Sequence, residues 1–384
     1  MLYKKFGKTG VNLSILGFGC MRLPIINGNP GMIDIEKAEE MLKYAIDNGV
    51  NYIDTAYPYH SEKFMQKGMS EVFVGNFLSK GYRNKVHLAT KLPSWLINSR
   101  EDMDKYLNEQ LERLKTDHID FYLVHALKTD FWNKLQSLGI CQFLDSAIAD
   151  GRIKYAGFSF HDELGLFKKI VDSYNWSFCQ IQYNYMDENY QAGLEGLRYA
   201  HERGLGVVIM EPLKGGMLTN KLPDEINSVL NKNGVKRQAA DIALRYLWSR
   251  QEIGLVLSGM SAMQHVVDNV ESASKAAEGS FSKNDIEIIS EIRNIFKTRL
   301  KVECTACQYC MPCPNGVNIP GVFQLYNTAF IYNNIEGIKM QYNGFLPPEC
   351  HASKCVKCGK CETACLQKIK IIKTLEEVVK TFGS

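Results

Sequence analysis

The sequence contains no run approaching the roughly 18 consecutive apolar residues that suggest a membrane-spanning helix, so no membrane span is expected. No apolar stretch of secretory-signal length follows the lysines of the opening MLYKKFGKTG, which makes a cytoplasmic location the expectation. An excess of charge of either sign is also missing. Lys and Arg number 45 against 42 Asp and Glu, a formal net charge of +3. That balance gives no basis for binding nucleic acid or an acidic membrane surface. Low-complexity tracts and long linkers are absent as well. No G-x-G-x-x-G fingerprint follows the first apolar run, where GFGCMR fails to complete it, and this argues against an open doubly wound sheet. Cysteine is scarce in the first 303 residues, which hold Cys20, Cys141 and Cys179 of the twelve in the chain. Such scattered thiols are mostly small buried hydrophobes.

What is present is a core large enough for folding. Of the 384 residues, 45% are hydrophobic, which suits one large and one small domain. From residue 13 to about 278, short branched or aromatic runs alternate with longer amphipathic segments. The runs are SILGFGCMRL, NYIDTA, KVHLATKL, IDFYLVHAL, KYAGFSF, FCQIQYNY, GVVIMEPL and GLVLSGM, eight in all. Helical patterning falls at 35–48, 99–115, 162–173, 190–203 and 236–249, with Gly49 at the stop position of the first. Apolar runs with short loops and helices between them suit buried parallel strands. Eight βα units predict a (β/α)8 barrel, a TIM barrel, over residues 1–297. The alternation fades after that. Residues 298–384 form a second, smaller unit, with helix and loop over 315–345 and a final helix at about 374–382.

Barrel active sites lie at the C-terminal ends of the strands. The second run ends in Asp54, with Tyr59 five residues on; the third ends in Lys91 and the fourth in His125. These four form a coherent machine. A phenol alone is a weak acid near pH 10. A neighbouring ammonium stabilises the phenolate and lowers that value, and a carboxylate holds the ammonium in place. An imidazole can orient a carbonyl while the phenol protonates it. Singly, each would more often be a surface polar residue at a strand end.

In order and local context, DTAYPY, ATKLP and YLVHAL resemble the catalytic tetrad of the aldo-keto reductases, and FGKTGVNLSILGFGCMRL resembles that family's opening hairpin. The resemblance covers residues 1 to about 297. It implies a (β/α)8 barrel that reduces aldehydes and ketones with NAD(P)H, with Tyr59, Asp54, Lys91 and His125 catalytic. Tyr57 is a nearby phenol at the wrong spacing for the acid. The resemblance also places Ser159 and Gln182 at the nicotinamide carboxamide, and Met210, Pro212, Leu213 and Gly216 of VIMEPLKGG along the cofactor. Phe160 stands where the family has Asn, and Met210 where many members stack a Tyr. Both could equally be core residues. Gly259 and His265 occupy positions where many members carry a basic pair for the 2′-phosphate of NADP, while Asn269 matches an adenine contact. Without the basic pair, NAD becomes plausible beside NADP. Trp95, Phe131 and Trp132 could line a substrate pocket or pack against helices.

Nine cysteines crowd the last quarter of the chain. In a reducing compartment, metal or redox chemistry is a better reading than disulfides. CVKCGKCETAC places Cys355, Cys358, Cys361 and Cys365 at the C-x2-C-x2-C-x3-C spacing of bacterial ferredoxins, though Leu366 stands where Pro usually follows. CTACQYCMPCP places Cys304, Cys307, Cys310 and Cys313 before Pro314, with the last gap shortened to two residues. In two-cluster ferredoxins the fourth cysteine of each run serves the other cluster. Cys304, Cys307, Cys310 and Cys365 would then hold one 4Fe–4S cluster, and Cys355, Cys358, Cys361 and Cys313 a second. Structural zinc is the competing interpretation, but it would need only two C-x2-C pairs per site. Cys350 is read as a non-ligand, though it could replace a missing ligand given the irregular first motif. The whole chain thus resembles aldo-keto reductases carrying a C-terminal ferredoxin-like dicluster domain.

The resemblance implies a small carbonyl substrate and, as partner, a ferredoxin or flavodoxin-like electron carrier. Lys354, Lys357, Lys360, Lys368, Lys370 and Lys373 around the second motif could form a docking face or offset the charge of the clusters. An alternative role is an electron carrier or redox sensor that uses the barrel as a scaffold. Hydride transfer moves two electrons and nicotinamide exchanges single electrons poorly, so coupling to the clusters would need a flavin or similar splitter.

Overall fold

The computed structural model describes residues 1–62, 66–216, 218–219, 222–233, 238–276, 281–304, 310–365 and 369–383. The chain forms two compact units, Met1–Leu218 with Arg237–Ser282, and Thr219–Lys236 with Lys283–Ser384.

In the first unit, β1 (Tyr3–Lys5) and β2 (Asn12–Ser14) form an antiparallel hairpin. Eight further strands follow: β3 (Leu16–Gly19), β4 (Tyr52–Asp54), β5 (His87–Leu92), β6 (Ile119–Leu127), β7 (Ile153–Phe160), β8 (Phe178–Gln182), β9 (Gly206–Met210) and β10 (Leu255–Ser258). They close a parallel barrel in chain order, with β10 pairing β3. Each of the eight apolar runs is one of its strands, as the (β/α)8 reading predicts. Around them lie α1 (Ile35–Asp47), α2 (Ser70–Leu78), α3 (Arg100–Leu114), α4 (Thr129–Ser137), α5 (Ile140–Ala149), α6 (Leu164–Ser173) and α7 (Gly193–Glu202). After α8 (Asp224–Lys232), which belongs to the second unit, α9 (Ala239–Trp248) and α10 (Met263–Ser274) complete the ring. The sequence signals act locally. Asp34 caps α1 by accepting from the Lys37 N–H, and Gly49 ends it at φ +96°. Ser99 and Asp102 form a capping box on α3.

The hairpin closes the N-terminal end of the barrel. Phe6 is fully buried among Leu13, Tyr52, Phe121, Phe178 and Leu255. Its ring stands 5.5 Å from Phe121 and 5.9 Å from Phe178, within the favourable range for aromatic pairs. With that end packed by hydrocarbon, polar side chains are left to the opposite rim, where the strands end.

The second unit contains α8, α11 (Lys283–Arg299), α12 (Ile319–Ile331), α13 (Ile335–Phe345), α14 (Lys360–Ala364) and α15 (Ile371–Phe382). Arg299 of α11 pairs with Glu225 of α8 and donates to the Ile331 carbonyl at 2.9 Å. Val317, Phe323, Tyr326, Tyr342, Val378 and Phe382 lie in its core. Among the described residues, no helix is long and apolar enough to cross a membrane.

Candidate active site and thiol cavity

Asp54, Tyr59, Lys91 and His125 converge at the C-terminal rim. Lys91 is fully buried, and its ammonium donates to Asp54 Oδ1 at 2.7 Å, Asp54 Oδ2 at 2.8 Å and the Thr55 carbonyl at 2.8 Å. The same ammonium also lies 3.3 Å from the Tyr59 hydroxyl. The Tyr59 and His125 rings are 6.3 Å apart, nearly perpendicular. Trp95 stands against His125 at 5.2 Å.

The environment sets the protonation states. Burial works to strip Lys91 of its proton, but Asp54 and Tyr59 outweigh it, and the ammonium is held above its ordinary pKa. Burial raises Asp54, while Lys91 opposes the shift. For Tyr59 the sequence predicts a lowering by Lys91. That pull is present, but burial is the larger effect and the net shift is upward. The phenol is therefore proton-loaded at neutral pH, the form a general acid requires. Burial, then Lys91 and His161, push His125 well below the usual imidazole range, so it is neutral. Cys20 is also buried nearby, and burial pushes its thiol up, away from reactive thiolate.

Local structure aims these groups. The β6–β7 register shifts between Val124 and Leu127, and Ala126 adopts φ +51°. Its N–H donates to Ser159 Oγ at 2.7 Å. This bulge turns His125 toward the rim, a common use of bulges beside active sites. Among the described residues, His125 Nδ1 is buried without a hydrogen-bond partner. The loop carrying Tyr59 is held by the Ser70 N–H, which donates to the Tyr59 carbonyl at 3.2 Å. Gly68 passes so close that a Cβ there would lie 2.0 Å from that carbonyl oxygen, so only glycine fits. His60 accepts from the Leu23 N–H at 3.2 Å and donates Nδ1–H to the Pro30 carbonyl at 3.0 Å, tying this loop to the one after β3. Behind Lys91, Gln110 donates to the Lys91 carbonyl at 3.0 Å and to Glu71 at 2.6 Å, and Arg113 pairs with Glu71. Tyr57 packs on Tyr106 and under Arg113.

The residues expected along the cofactor are distributed less simply. Ser159 is buried beside His125 and, while accepting from Ala126, keeps a hydroxyl hydrogen to donate. Gln182 turns to Asp187, 3.0 Å away. Gln180, two residues earlier on β8, is buried with its carbonyl oxygen unpartnered among the described residues and its amide 3.5 Å from Met210 Sδ. Residues two apart on a strand share a face, so both glutamines satisfied the pattern. Met210, Leu213 and Gly216 are partly exposed at the rim and Pro212 is buried. Gly259 is exposed, and Asn269 is buried with its amide on Ser258 Oγ at 3.0 Å. Phe160 is core, 5.2 Å from Phe167. Trp132 is core beside Trp176, and Phe131 lies beneath Lys128 and Lys134. Orphaned polar atoms at His125 and Gln180, on a rim also holding Ser159, suit a carbonyl and a carboxamide ring.

In the second unit, Cys310, Cys313, Cys355, Cys358 and Cys361 line one cavity of about 150 Å³ together with Val317, Ile319, Ile372 and Leu375. Cys304 and Cys365 pack against the same apolar core. Cys307 and Lys368 lie outside the described residues. Cys350 does not line the cavity; its carbonyl accepts from the Asn318 N–H at 3.0 Å. Asn327 of α12 accepts from the Lys301 and Val302 N–H groups at 2.9 and 3.0 Å and donates to the Val302 carbonyl at 2.7 Å, fixing the segment that leads into Cys304. Lys357 pairs with Glu376 at 2.6 Å.

The sequence matches the model of the Aldo/keto reductase family over residues 15–294 and that of the 4Fe-4S dicluster domain over residues 303–369. It is 26% identical over 315 residues to L-galactose dehydrogenase of Arabidopsis thaliana, covering 77% of this chain and 94% of that protein. It is 29% identical over 238 residues to the uncharacterized oxidoreductase YrpG of Bacillus subtilis, covering 58% of this chain and 69% of that protein. Among solved structures, aldo-keto reductase AKR11C1 of Bacillus halodurans in its holo form superposes with a TM-score of 0.62 at 25% identity, covering 76% of this chain and 96% of that one.

Proposed function

This chain belongs to the aldo/keto reductase family, an oxidoreductase family, and from that premise we propose that residues 1–297 reduce an aldehyde or ketone while residues 298–384 exchange electrons with a partner through two 4Fe–4S clusters. The observation that carries the first part is the buried Lys91 ammonium, which touches both Asp54 oxygens and the Tyr59 hydroxyl at once. When bound, the reduced nicotinamide of NADH or NADPH supplies a hydride to the carbonyl carbon. Tyr59 gives its hydroxyl proton to the carbonyl oxygen, and Lys91 stabilises the phenolate left behind. His125, neutral, donates a hydrogen bond that orients the carbonyl. Asp54 keeps Lys91 charged and aimed. Ser159 and Gln180 hold the carboxamide, with Met210 against the ring face; Gln182, committed to Asp187, supports the loop instead. Tyr59→Phe is expected to keep the fold and dinucleotide binding while slowing carbonyl reduction by at least about 100-fold. Near-normal turnover in that variant would remove Tyr59 from the mechanism.

For the clusters, the supporting observation is the cavity that Cys310 and Cys313 share with Cys355, Cys358 and Cys361. The crossed pattern assigns all of these but Cys310 to one cluster, and Cys310 to the other. The cavity is several times the roughly 30 Å³ a water occupies, whereas four thiolates at about 2.3 Å close directly over a zinc ion. Cys304, Cys307, Cys310 and Cys365 are assigned to the other cluster. The clusters would supply one-electron transfer, and a small acidic ferredoxin or flavodoxin-like carrier suits the lysines around the second motif.

A further inference from the structure

Two consecutive residues open α2, and both reach toward Tyr59 and Lys91 from behind. Ser70 donates its N–H to the Tyr59 carbonyl at 3.2 Å, and its hydroxyl lies 2.8 Å from Thr55 Oγ1. Glu71 is a fully buried carboxylate with no part in the hydride or proton step. Its Oε1 accepts from the hydroxyl of Thr90, the residue before Lys91, at 2.6 Å and from Gln110 at 2.6 Å. Gln110 also donates to the Lys91 carbonyl at 3.0 Å, and its own amide oxygen accepts from the Tyr122 hydroxyl at 2.8 Å. The second carboxylate oxygen, Oε2, faces Arg113 Nε at 3.1 Å.

Arg113 carries the connection to the other side. It donates through Nη2 to the Gly68 carbonyl, and its guanidinium lies 5.3 Å over the Tyr57 ring. Gly68 donates to the Tyr57 carbonyl at 2.9 Å and presses closely on the Tyr59 carbonyl. The strand of Lys91 therefore hangs from one oxygen of Glu71, and the segment of Tyr59 from the other. A buried ion pair is a weak source of stability, because desolvation offsets the attraction. What a satisfied buried network supplies is a single arrangement of the parts it joins.

We propose that Glu71 is a positioning residue for carbonyl reduction, which through Thr90 and Arg113 sets the 3.3 Å approach of the Lys91 ammonium to the Tyr59 hydroxyl. The inference rests on the reading of Tyr59 as general acid. The groups facing that hydroxyl are Lys91 from β5, Asp54 from β4, His125 from β6 and Cys20 after β3. Lys91 draws the phenol pKa down, while Asp54 and Cys20 add to the upward push of burial. Loosening the approach weakens the pull of Lys91. The phenol then keeps its proton to higher pH, and the phenolate formed during reduction is less stabilised.

Two variants of the full chain separate position from charge. Glu71→Gln keeps the shape but turns an amide N–H toward Arg113, a donor against a donor. Arg113→Lys keeps a cation beside Glu71 but gives up the fork that reaches Gly68. Each is expected to lower kcat for reduction of para-nitrobenzaldehyde by at least about tenfold, with KM changed less than about twofold. Each is also expected to move the alkaline fall of the rate to higher pH. Glu71→Gln leaves Arg113 its more distant carboxylate, Glu109 at 3.9 Å, and should melt lower. Arg113→Lys should melt near the unaltered protein and still show both kinetic changes, which a merely structural role would not produce. An alkaline limb that stays in place in both variants would overturn the inference. Tyr59→Phe, measured beside them, tells the two failures apart: if it is slow, the general-acid reading stands without Glu71, and if it turns over normally, both fall.

Discussion

Replacing Lys91 with methionine tests the buried charge pair more sharply than any activity measurement. Lys91 and Asp54 are shielded from water, and the pair is the reason Asp54 can stay ionised there. Lys91→Met keeps most of the side-chain volume but leaves a buried carboxylate without its counter-charge. Breaking a buried pair in this way costs about 3–5 kcal/mol. At roughly 2–4 °C per kcal/mol for a domain of this size, the barrel transition should fall by about 6–20 °C. The pH dependence gives the cause. Without Lys91, the Asp54 pKa in the folded state rises further above its unfolded value near 3.9. Below the unfolded value the carboxyl is protonated in both states and no penalty remains. Above the folded value the full penalty applies. Lys91→Met should therefore be more destabilised at pH 8 than at pH 5, with a larger trend than in the unaltered protein, where burial also raises Asp54 but Lys91 opposes the shift. Adding Asp54→Asn should restore much of the lost stability. Calorimetry of the single and double variants at the two pH values is the assay. A single variant with no pH trend, or a double variant no more stable than the single, would refute the reasoning.

The raised Tyr59 pKa predicts that carbonyl reduction stays level through neutral pH and falls only on the alkaline side, as the phenol loses its proton, while alcohol oxidation rises over the same range. Because His125 is neutral, kcat/KM should show no break between pH 8 and pH 6; a titration there would contradict its burial. Protein purified without oxygen should carry about eight irons. Cys365→Ala should damage the cluster held by Cys304, Cys307 and Cys310, and Cys313→Ala the other; damage confined to each cysteine's own loop would rule out the crossed pattern. If the lysines near the second motif steer an acidic ferredoxin, its anaerobic reduction rate should drop as salt rises from 0.1 M to 1 M and the Debye length shrinks from about 10 Å to about 3 Å. A flat rate would end the docking idea.

All eight barrel strands were legible because buried parallel strands write themselves as uninterrupted apolar runs. The convergence of Asp54, Tyr59, Lys91 and His125 was legible because three of them end such runs. The packing of Arg22 against Gly259 was not, since the two meet only when β3 and β10 pair to close the barrel. Strand periodicity puts Gln180 and Gln182 on one face, and the bond from Gln182 to Asp187 is not recorded in a linear pattern. Nothing in the sequence announced that α8, flanked by barrel elements, packs with α11 through Glu225 and Arg299. The balance between burial and Lys91 at Tyr59 is a matter of depth, which a linear pattern does not record.

Asn327 has a consequence for how iron enters. One amide side chain satisfies three backbone groups of the segment before Cys304. Those bonds need no metal. The segment leading into Cys304 is therefore anchored by protein alone, and on the proposed ligand assignment cluster assembly would start from a tethered thiol rather than a free loop. Hydrogen exchange at the Val302 amide should be slow before iron is added and change little afterwards. Asn327→Ala should lengthen the lag of reconstitution with iron and sulfide while leaving the final iron content unchanged.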